Sequence, residues 1–209
     1  MYESGRICRL GLLICLSAAL FAIAGPSSAG IDHVVELDQS GIWKRETEQN
    51  LLIGASVFNL GLAIWEGSEN RLGNTAWRGV DSQLISGVST EILKRVFTRE
   101  RPSTTNDPNS WFAGDSNHSF PSGEAASAAA LVTPYMLEYG KEQPVVYGLA
   151  LFPLYVGVAR VKAQAHWQTD VLAGWAIGAA SGWYALRREK SLILQILPGG
   201  AFVGLKKSF

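Results

Sequence analysis

Residues 160–170 have the sequence Arg-Val-Lys-Ala-Gln-Ala-His-Trp-Gln-Thr-Asp, and this stretch carries the strongest indication of fold and chemistry. His166 and Asp170 are four residues apart, so on a helix they would share one face. A carboxylate there can accept from one imidazole nitrogen and leave the other free as a nucleophile or base. Arg160 precedes them closely enough to bind the same anion. Because an isolated histidine is usually an ordinary core or surface residue, the interpretation depends on the rest of the chain.

A second basic stretch ends the preceding helical segment. Lys94 and Arg101 are seven residues apart, about two turns, so a helix would present both on one face. Pro102 disfavours helical geometry at Arg101, which predicts a turn there. Basic residues at a helix C-terminus can also be purely structural, because the helix macrodipole favours positive charge there. Taken alone, this stretch leaves both interpretations open.

The third stretch is Phe120-Pro121-Ser122-Gly123-Glu124, between a polar loop and a run of small residues. Ser122 is a suitable helix N-cap, and Gly123 allows close approach to the backbone. Free N–H groups at the start of a helix can bind an anion. For this stretch taken alone, an ordinary helix cap is the favoured interpretation.

Together the three stretches resemble, in order and internal spacing, the signature motifs of the type 2 phosphatidic acid phosphatase superfamily. That superfamily also contains vanadium haloperoxidases and bacterial class A acid phosphatases. The resemblance spans Ser82 to Arg187, about half the chain. It implies that His166 attacks phosphorus and carries a phosphohistidine, and that Asp170 orients His166. It also implies that the phosphate oxygens are bound by Lys94, Arg101, Ser122, Gly123 and Arg160. It implies no metal and no other cofactor.

The chain departs from the family pattern at two positions. Glu124 replaces the second-motif histidine that protonates the leaving oxygen, and Ala159 replaces the usual serine before Arg160. We favour Glu124 as a substitute general acid, which predicts an acid-shifted pH optimum. It could instead be a structural or water-positioning carboxylate paired with Arg101 or Lys94, or belong to a site that binds phosphate without efficient turnover. His118 is a further candidate donor, although we favour its interpretation as a solvated loop histidine.

Composition limits the remaining alternatives. The chain has 209 residues, 47% of them hydrophobic, and no formal net charge, which predicts one domain with a substantial core. Basic residues, an apolar run and small residues make 1–29 a predicted secretory signal peptide, with an uncleaved membrane anchor as the alternative. Residues 30–209 then form the phosphatase domain. We predict a periplasmic location, with the inner membrane as the alternative.

Removal of the leader also changes what the chain contains. Both cysteines fall within the leader, so the mature chain would form no disulfide. Without Arg6, Arg9 and Glu3, the totals of 18 basic and 18 acidic residues become 16 and 17. The absence of a basic surplus argues against a nucleic-acid partner.

Apolar spacing predicts an all-α helical bundle with a small C-terminal β-hairpin. We expect helices over 40–65, 83–97, 122–139, 145–161 and 166–186, a loop over 70–78, and a hairpin formed by 192–197 and 201–209. Pro134 and Pro153 should kink or interrupt their helices. The lengths of the apolar stretches favour buried helices over membrane spans. Many members of the resembled family are nevertheless integral membrane proteins.

The functional prediction is a metal-independent phosphatase acting on a phosphomonoester or a lipid-linked (di)phosphate, with membrane-surface association. A phosphate- or headgroup-binding protein without catalysis is the first alternative, because of Glu124. A vanadate-dependent haloperoxidase is the second. Trp111 and Phe112 could line an apolar substrate slot or belong to the core.

Overall fold

The structure is a computed structural model that describes residues 30–114, 116–188 and 191. The predicted signal peptide and C-terminal hairpin lie outside these residues. The five α-helices of the described ranges are α1 (Arg45–Glu66), α2 (Arg71–Phe97), α3 (Gly123–Tyr139), α4 (Leu151–Lys162) and α5 (Gln168–Arg187). Short 3₁₀ helices, Gly41–Trp43 and Pro144–Ala150, precede α1 and α4. The described ranges contain no β-strand, so the all-α prediction is confirmed.

Helix α3 is the centre of the bundle and packs against α2, α4 and α5. Its contact with α5 is close because both helices carry small residues there. A Cβ added to Gly178 would clash with the carbonyl oxygen of Ala126, and one added to Gly174 would lie 2.5 Å from the carbonyl oxygen of Ser122. This packing holds the first turn of α3 directly against the first half of α5.

Helix α2 begins well before the predicted residue 83. The prediction of a loop over 70–78 is wrong, because Asn70 caps the helix by accepting from the N–H of Gly73 at 2.7 Å. Ala76 and Trp77 then pack into an apolar cluster with Ala63 of α1. The cap and this long-range packing outweigh the polar composition of the segment.

Neither proline interrupts its helix. Helix α3 continues through Pro134, which is fully buried. Pro153 lies in the first turn of α4, where a missing N–H removes no intrahelical hydrogen bond. The predicted helix 145–161 is instead divided between residues 150 and 151, where 3₁₀ geometry changes to α geometry.

Many large apolar side chains are exposed on α1, α2 and the segment leading through α4. Phe58 and Trp65 of α1 are 73% and 82% exposed, so one face of this helix is not covered by the described residues. Val88 of α2 and Val145 are also exposed. Pro144–Lys162 is the one stretch of the described residues with the length and apolar character needed to cross a membrane, features that core helices can share. Exposed apolar patches of this kind mark contact surfaces.

Candidate active site

His166 is buried in the turn between α4 and α5, only 2% exposed. It precedes α5, which begins at Gln168, so the expectation that a helix presents His166 and Asp170 on one face is wrong. Its Nδ1 lies 2.6 Å from the carbonyl oxygen of Ser119. Because a carbonyl oxygen only accepts, Nδ1 carries the proton and Nε2 keeps its lone pair. Burial, and then the positive charges of Lys94, Arg101 and Arg160, hold the pKa of His166 well below its usual value.

Asp170 is linked to His166 indirectly, because Ser119 bonds Asp170 through its hydroxyl and His166 through its backbone carbonyl. Its Oδ2 accepts from the Ser119 hydroxyl at 2.5 Å and from the N–H of Trp167 at 2.9 Å, which caps α5. The distance from Oδ2 to Nδ1 of His166 is 3.9 Å, too long for the direct hydrogen bond that the sequence predicted. The carbonyl of Ser119 makes that bond instead. Burial raises the pKa of Asp170, and Arg99 and these hydrogen bonds oppose the rise.

Arg99 and Asp32 complete this network, and neither was predicted from the sequence as a site residue. The Arg99 guanidinium is fully buried and bonds Asp170 Oδ1 at 2.6 Å and Asp32 Oδ2 at 2.7 Å. Asp32 also accepts from the N–H of Thr169 at 2.8 Å. Arg99 lies within the first motif, so its position in the sequence could have identified it as a candidate site residue. Asp32 lies 67 residues earlier, and no local pattern links the two.

Lys94 and Arg101 converge without sharing a helix face. Helix α2 ends at Phe97, so Arg101 lies beyond it in the following loop. Both side chains donate to the carbonyl oxygen of His118, Lys94 Nζ at 2.9 Å and Arg101 at 3.4 Å. Burial, and then the charge of Arg101, lowers the pKa of Lys94 to about 8. Within these contacts His118 contributes its backbone, and a role for its ring as a proton donor stays a prediction.

The second motif forms the start of α3, as the sequence predicted. Ser122 is the N-cap, and its hydroxyl accepts from the N–H of Ala125 at 3.4 Å. Its own N–H donates to the carbonyl oxygen of Asp170 at 2.9 Å, which joins the second and third motifs. A Cβ on Gly123 would lie 3.7 Å from Cε of Lys94, so this glycine faces the cation of the first motif. The first N–H groups of a helix have no intrahelical acceptor and can bind an anion.

Glu124 is paired with Arg160, and the prediction that a structural carboxylate here would pair with Arg101 or Lys94 is wrong. Arg160 Nε lies 2.7 Å from Glu124 Oε2, and Gln49 of α1 donates to Glu124 Oε1 at 3.1 Å. A second carboxylate, Glu48 of α1, lies 3.5 Å from Arg160 Nη1. Glu48 and Gln49 were not identified from the sequence, because they precede the motifs by more than 40 residues.

The two aromatic residues upstream of the second motif have different surroundings. Trp111 packs edge-on against Phe97 and Phe120, and Arg99 lies 4.3 Å from its ring centre. Phe112 is 68% exposed. Trp111 therefore belongs to the packing around Arg99, and Phe112 lies at the surface.

The assembled residues suit a tetrahedral anion. A buried neutral imidazole with a free Nε2 lies within the field of three cations, Lys94, Arg101 and Arg160, and the start of α3 lies beside Lys94. Preorganised charges of this kind stabilise the negative charge of a phosphoryl transition state. Within the described residues, no group of three or more His, Cys, Asp or Glu side chains is arranged to hold a metal ion.

The family model for the PAP2 superfamily matches residues 80–192, more than half of the chain. The chain belongs to the PAP2 superfamily. The resemblance drawn from the three motifs is thereby confirmed, and the matched range contains all of them. Asp32 and Glu48, which contact motif residues, lie outside the matched range.

Among PAP2 relatives, the chain is 32% identical to lipid A 1-phosphatase of Rhizobium johnstonii over 108 residues, 49% of this chain and 42% of that protein. It is 31% identical to phosphatidylglycerophosphatase B of Bacillus subtilis over 137 residues, 60% of this chain and 65% of that protein. The crystal structure of Aquifex aeolicus LpxE overlaps with a TM-score of 0.48 at 20% identity, over 69% of this chain and 87% of that one. The match thus spans less than half of the Rhizobium protein.

Proposed function

We propose that this PAP2 protein is a phosphatase that hydrolyses a lipid-linked phosphate through a covalent intermediate on His166, without a metal ion. The observation that carries the proposal is the buried His166, whose Nδ1 is bonded to the Ser119 carbonyl and whose Nε2 is free beside three cations. The names of two relatives, lipid A 1-phosphatase and phosphatidylglycerophosphatase B, support a phosphorylated lipid as the substrate.

In the first step the substrate phosphate binds to Lys94, Arg101, Arg160 and the first N–H groups of α3. Lys94, with a pKa of about 8, is mostly protonated at neutral pH, and a bound dianion favours its charged form further. Ser122 and Gly123 supply the helix start and the open backbone. This binding neutralises charge that would otherwise repel a nucleophile.

In the second step the lone pair of His166 Nε2 attacks phosphorus as the bond from phosphorus to the leaving oxygen breaks. The imidazole gains positive charge, and the Ser119 carbonyl and the nearby Asp170 carboxylate stabilise it. Water then attacks the phosphohistidine, the phosphorus–nitrogen bond breaks, and phosphate and neutral His166 are released. Asp170 acts here through Ser119, as a positioning residue.

The leaving oxygen needs a proton unless it is already a stable anion. Glu124, at the start of α3 and partly exposed, is our proposed donor in the protonated form that acid pH favours, and it regains its proton from the water that attacks the phosphohistidine. A diphosphate leaving group requires less protonation, so such a substrate would depend less on Glu124. This assignment predicts faster turnover toward acid pH for a phosphomonoester.

The exposed apolar side chains of α1, α2 and the segment 144–162 support action at a membrane. A lipid phosphate presents its headgroup at the bilayer surface, and a protein that contacts lipid leaves apolar side chains uncovered by its own chain. We expect association with the inner membrane or its periplasmic surface. The leader over residues 1–29 stays a prediction.

One observation favours a second function, phosphate binding without turnover. Glu124 is engaged by both Arg160 and Gln49, and these contacts suit a structural carboxylate that holds Arg160 in place. In that case the site would hold a phosphorylated headgroup and leave it intact.

The test is phosphate release by the purified full chain at pH 4 to 8 with a chelator present, from phosphatidic acid in detergent micelles and from an aryl phosphate in solution. We expect release from both, faster from the micelles. His166→Ala should lower the rate by roughly 10³-fold or more, because the nucleophile is lost.

His33→Gln is the matched control, since the His33 side chain is exposed and, among the described residues, its ring bonds only the carbonyl oxygen of Ile31, and it should retain the rate. Failure of the wild-type protein to release phosphate while it still binds sulfate would favour the binding function. Release that disappears with the chelator, or that survives His166→Ala, would refute the proposed mechanism.

A further inference from the structure

Glu48 is a buried carboxyl group that the proposed mechanism does not use. It lies in the first turn of α1 and its side chain is 0% exposed. Neither of its carboxyl oxygens accepts a hydrogen bond from any described residue. Its closest cation is Arg160, with Nη1 3.5 Å from Oε2. An ionised carboxylate buried with so few partners carries a large desolvation cost.

Glu48 shares that cation with Glu124. Arg160 Nε contacts Glu124 and Arg160 Nη1 faces Glu48, so one guanidinium lies between two carboxyl groups from α1 and α3. If both were ionised, their charges would exceed that of Arg160 by one unit. A phosphate dianion would then enter a more negative site. In relatives with the family's histidine in place of Glu124, that position would add no negative charge.

We propose that Glu48 and Glu124 form a carboxyl pair across Arg160 in which Glu48 carries a proton at neutral pH, and that this proton keeps the charge of Arg160 available to the substrate phosphate. The inference rests on the proposed function, since it assigns Arg160 to phosphate binding. Glu48 is thus a positioning residue for the known motif arginine.

The charges around Glu48 agree with this assignment. Burial first, and then the charge of Glu124, raises the pKa of Glu48 to about 7. Arg160 and Arg45 of α1 act in the opposite direction without cancelling the rise. From α4, Tyr155 also faces Glu48, and its hydroxyl donates to the carbonyl of Ile42. As the pH rises through about 7, Glu48 therefore ionises and anion binding weakens.

The experiment measures sulfate binding by calorimetry between pH 5.5 and 8.5, with the full chain in detergent. Sulfate is a tetrahedral dianion whose charge is constant over this range, and its binding requires no turnover. Glu48→Gln mimics the protonated side chain permanently. Glu46→Gln is the matched control, since Glu46 lies in the same turn of α1 and is exposed.

We expect the wild-type dissociation constant to rise with pH by at least about tenfold more than that of Glu48→Gln, because at an effective dielectric constant near 20 one unit charge about 12 Å from an anion already accounts for a tenfold change and a closer charge for more. Loss of the Lys94 proton near pH 8 weakens binding in both proteins and cancels in the comparison. Glu48→Asp, which restores a carboxyl group, should restore the wild-type pH dependence. Parallel curves for wild type and Glu48→Gln would overturn the inference.

A second measurement does not depend on folding of a variant. Wild-type protein carrying ¹³C only in its glutamate side chains should show one buried carboxyl resonance that titrates near pH 7, and Asp170 is silent in this sample. All glutamates titrating below about pH 5, the range of exposed carboxyls, would refute the proton on Glu48.

The two proposals fail separately. If sulfate binding shows the pH dependence set by Glu48 but no phosphate is released, the phosphatase function fails and the carboxyl pair stands. If phosphate is released and Glu48→Gln leaves the pH dependence of KM unchanged, only the carboxyl pair fails. With turnover, Glu48→Gln should lower KM above pH 7 and change kcat little, because it alters the ground-state charge.

Discussion

His166 lies between two polar clusters that differ in how completely their carboxyl groups are hydrogen-bonded. The first, the Arg99 cluster, contains Asp32, Arg99, Ser119 and Asp170, and every carboxylate oxygen in it accepts at least one hydrogen bond. The second, the Arg160 cluster, contains Glu48, Gln49, Glu124 and Arg160, and both oxygens of Glu48 accept none from the described residues. A fully bonded cluster fixes geometry, whereas a sparsely bonded one can change its charge. On the proposed mechanism, the Arg99 cluster would position the nucleophile and the Arg160 cluster would tune the anion affinity.

The largest expected effect comes from breaking the Arg99 cluster. Arg99→Ala leaves two buried carboxylates without their cation and should lower the free energy of unfolding by about 3–5 kcal/mol. Denaturant unfolding of the purified protein measures this change.

Arg95→Ala is the control for that experiment. Arg95 pairs with Glu91 on the exposed surface of α2, so its loss should change stability little. Equal effects of the two substitutions would mean that the buried network does not hold the site together.

An intermediate effect should appear in the Arg160 cluster, as a pH dependence of stability. The pKa of Glu48 is about 7 in the folded protein, against 4.5 for an unperturbed glutamate. The folded state therefore binds the Glu48 proton more tightly than the unfolded state does. The resulting contribution to the free energy of unfolding is fully present below about pH 4.5 and is lost as the pH rises to about 7. Between pH 5 and 8 the stability of wild type relative to Glu48→Gln should fall by about 2–3 kcal/mol.

Denaturant unfolding of both proteins at several pH values measures this difference. A constant difference across the range would contradict a buried proton on Glu48. Glu46→Gln, in the same turn, should follow the wild-type curve.

The smallest effect should come from Ser119→Ala. The substitution removes the hydroxyl that donates to Asp170 and keeps the backbone carbonyl that accepts from His166. We expect a loss of about 1 kcal/mol in stability and a reduction of phosphate release of about tenfold, because His166 keeps its tautomer.

Ser116→Ala, on the exposed part of the same loop, is the matched control. A loss of activity as large as that of His166→Ala would show that the hydroxyl, and not the carbonyl, sets the state of the imidazole.

Much of the fold and the site could be predicted from local sequence. Apolar spacing gave the helical class, and the three motifs gave the family that the PAP2 match confirms. The start of α3 at Ser122 was predictable because an N-cap is read from one residue and its neighbours. Helix α2 was misplaced at its start because the Asn70 cap was overlooked in a polar segment.

Contacts between distant parts of the chain were not predictable in the same way. Asp170 was expected to bond His166 directly from its spacing, but Ser119, 47 residues before His166, takes that bond. Glu124 was expected beside Arg101 or Lys94, and the packing of α4 brings Arg160 to it instead. Spacing along a chain restricts which side chains share a helix face. It carries no information on which distant segment packs against that face.

The sequence by itself determined the helical class, the family and the residue types of the proposed phosphate site, because periodicity, caps and motif spacing are local properties. Only the tertiary structure decided which group holds His166, which cation meets Glu124, and that Glu48 lies buried beside Arg160. Those outcomes depend on burial and on the closest partner in space. Both are set by the packing of α1, α3, α4 and α5 against one another.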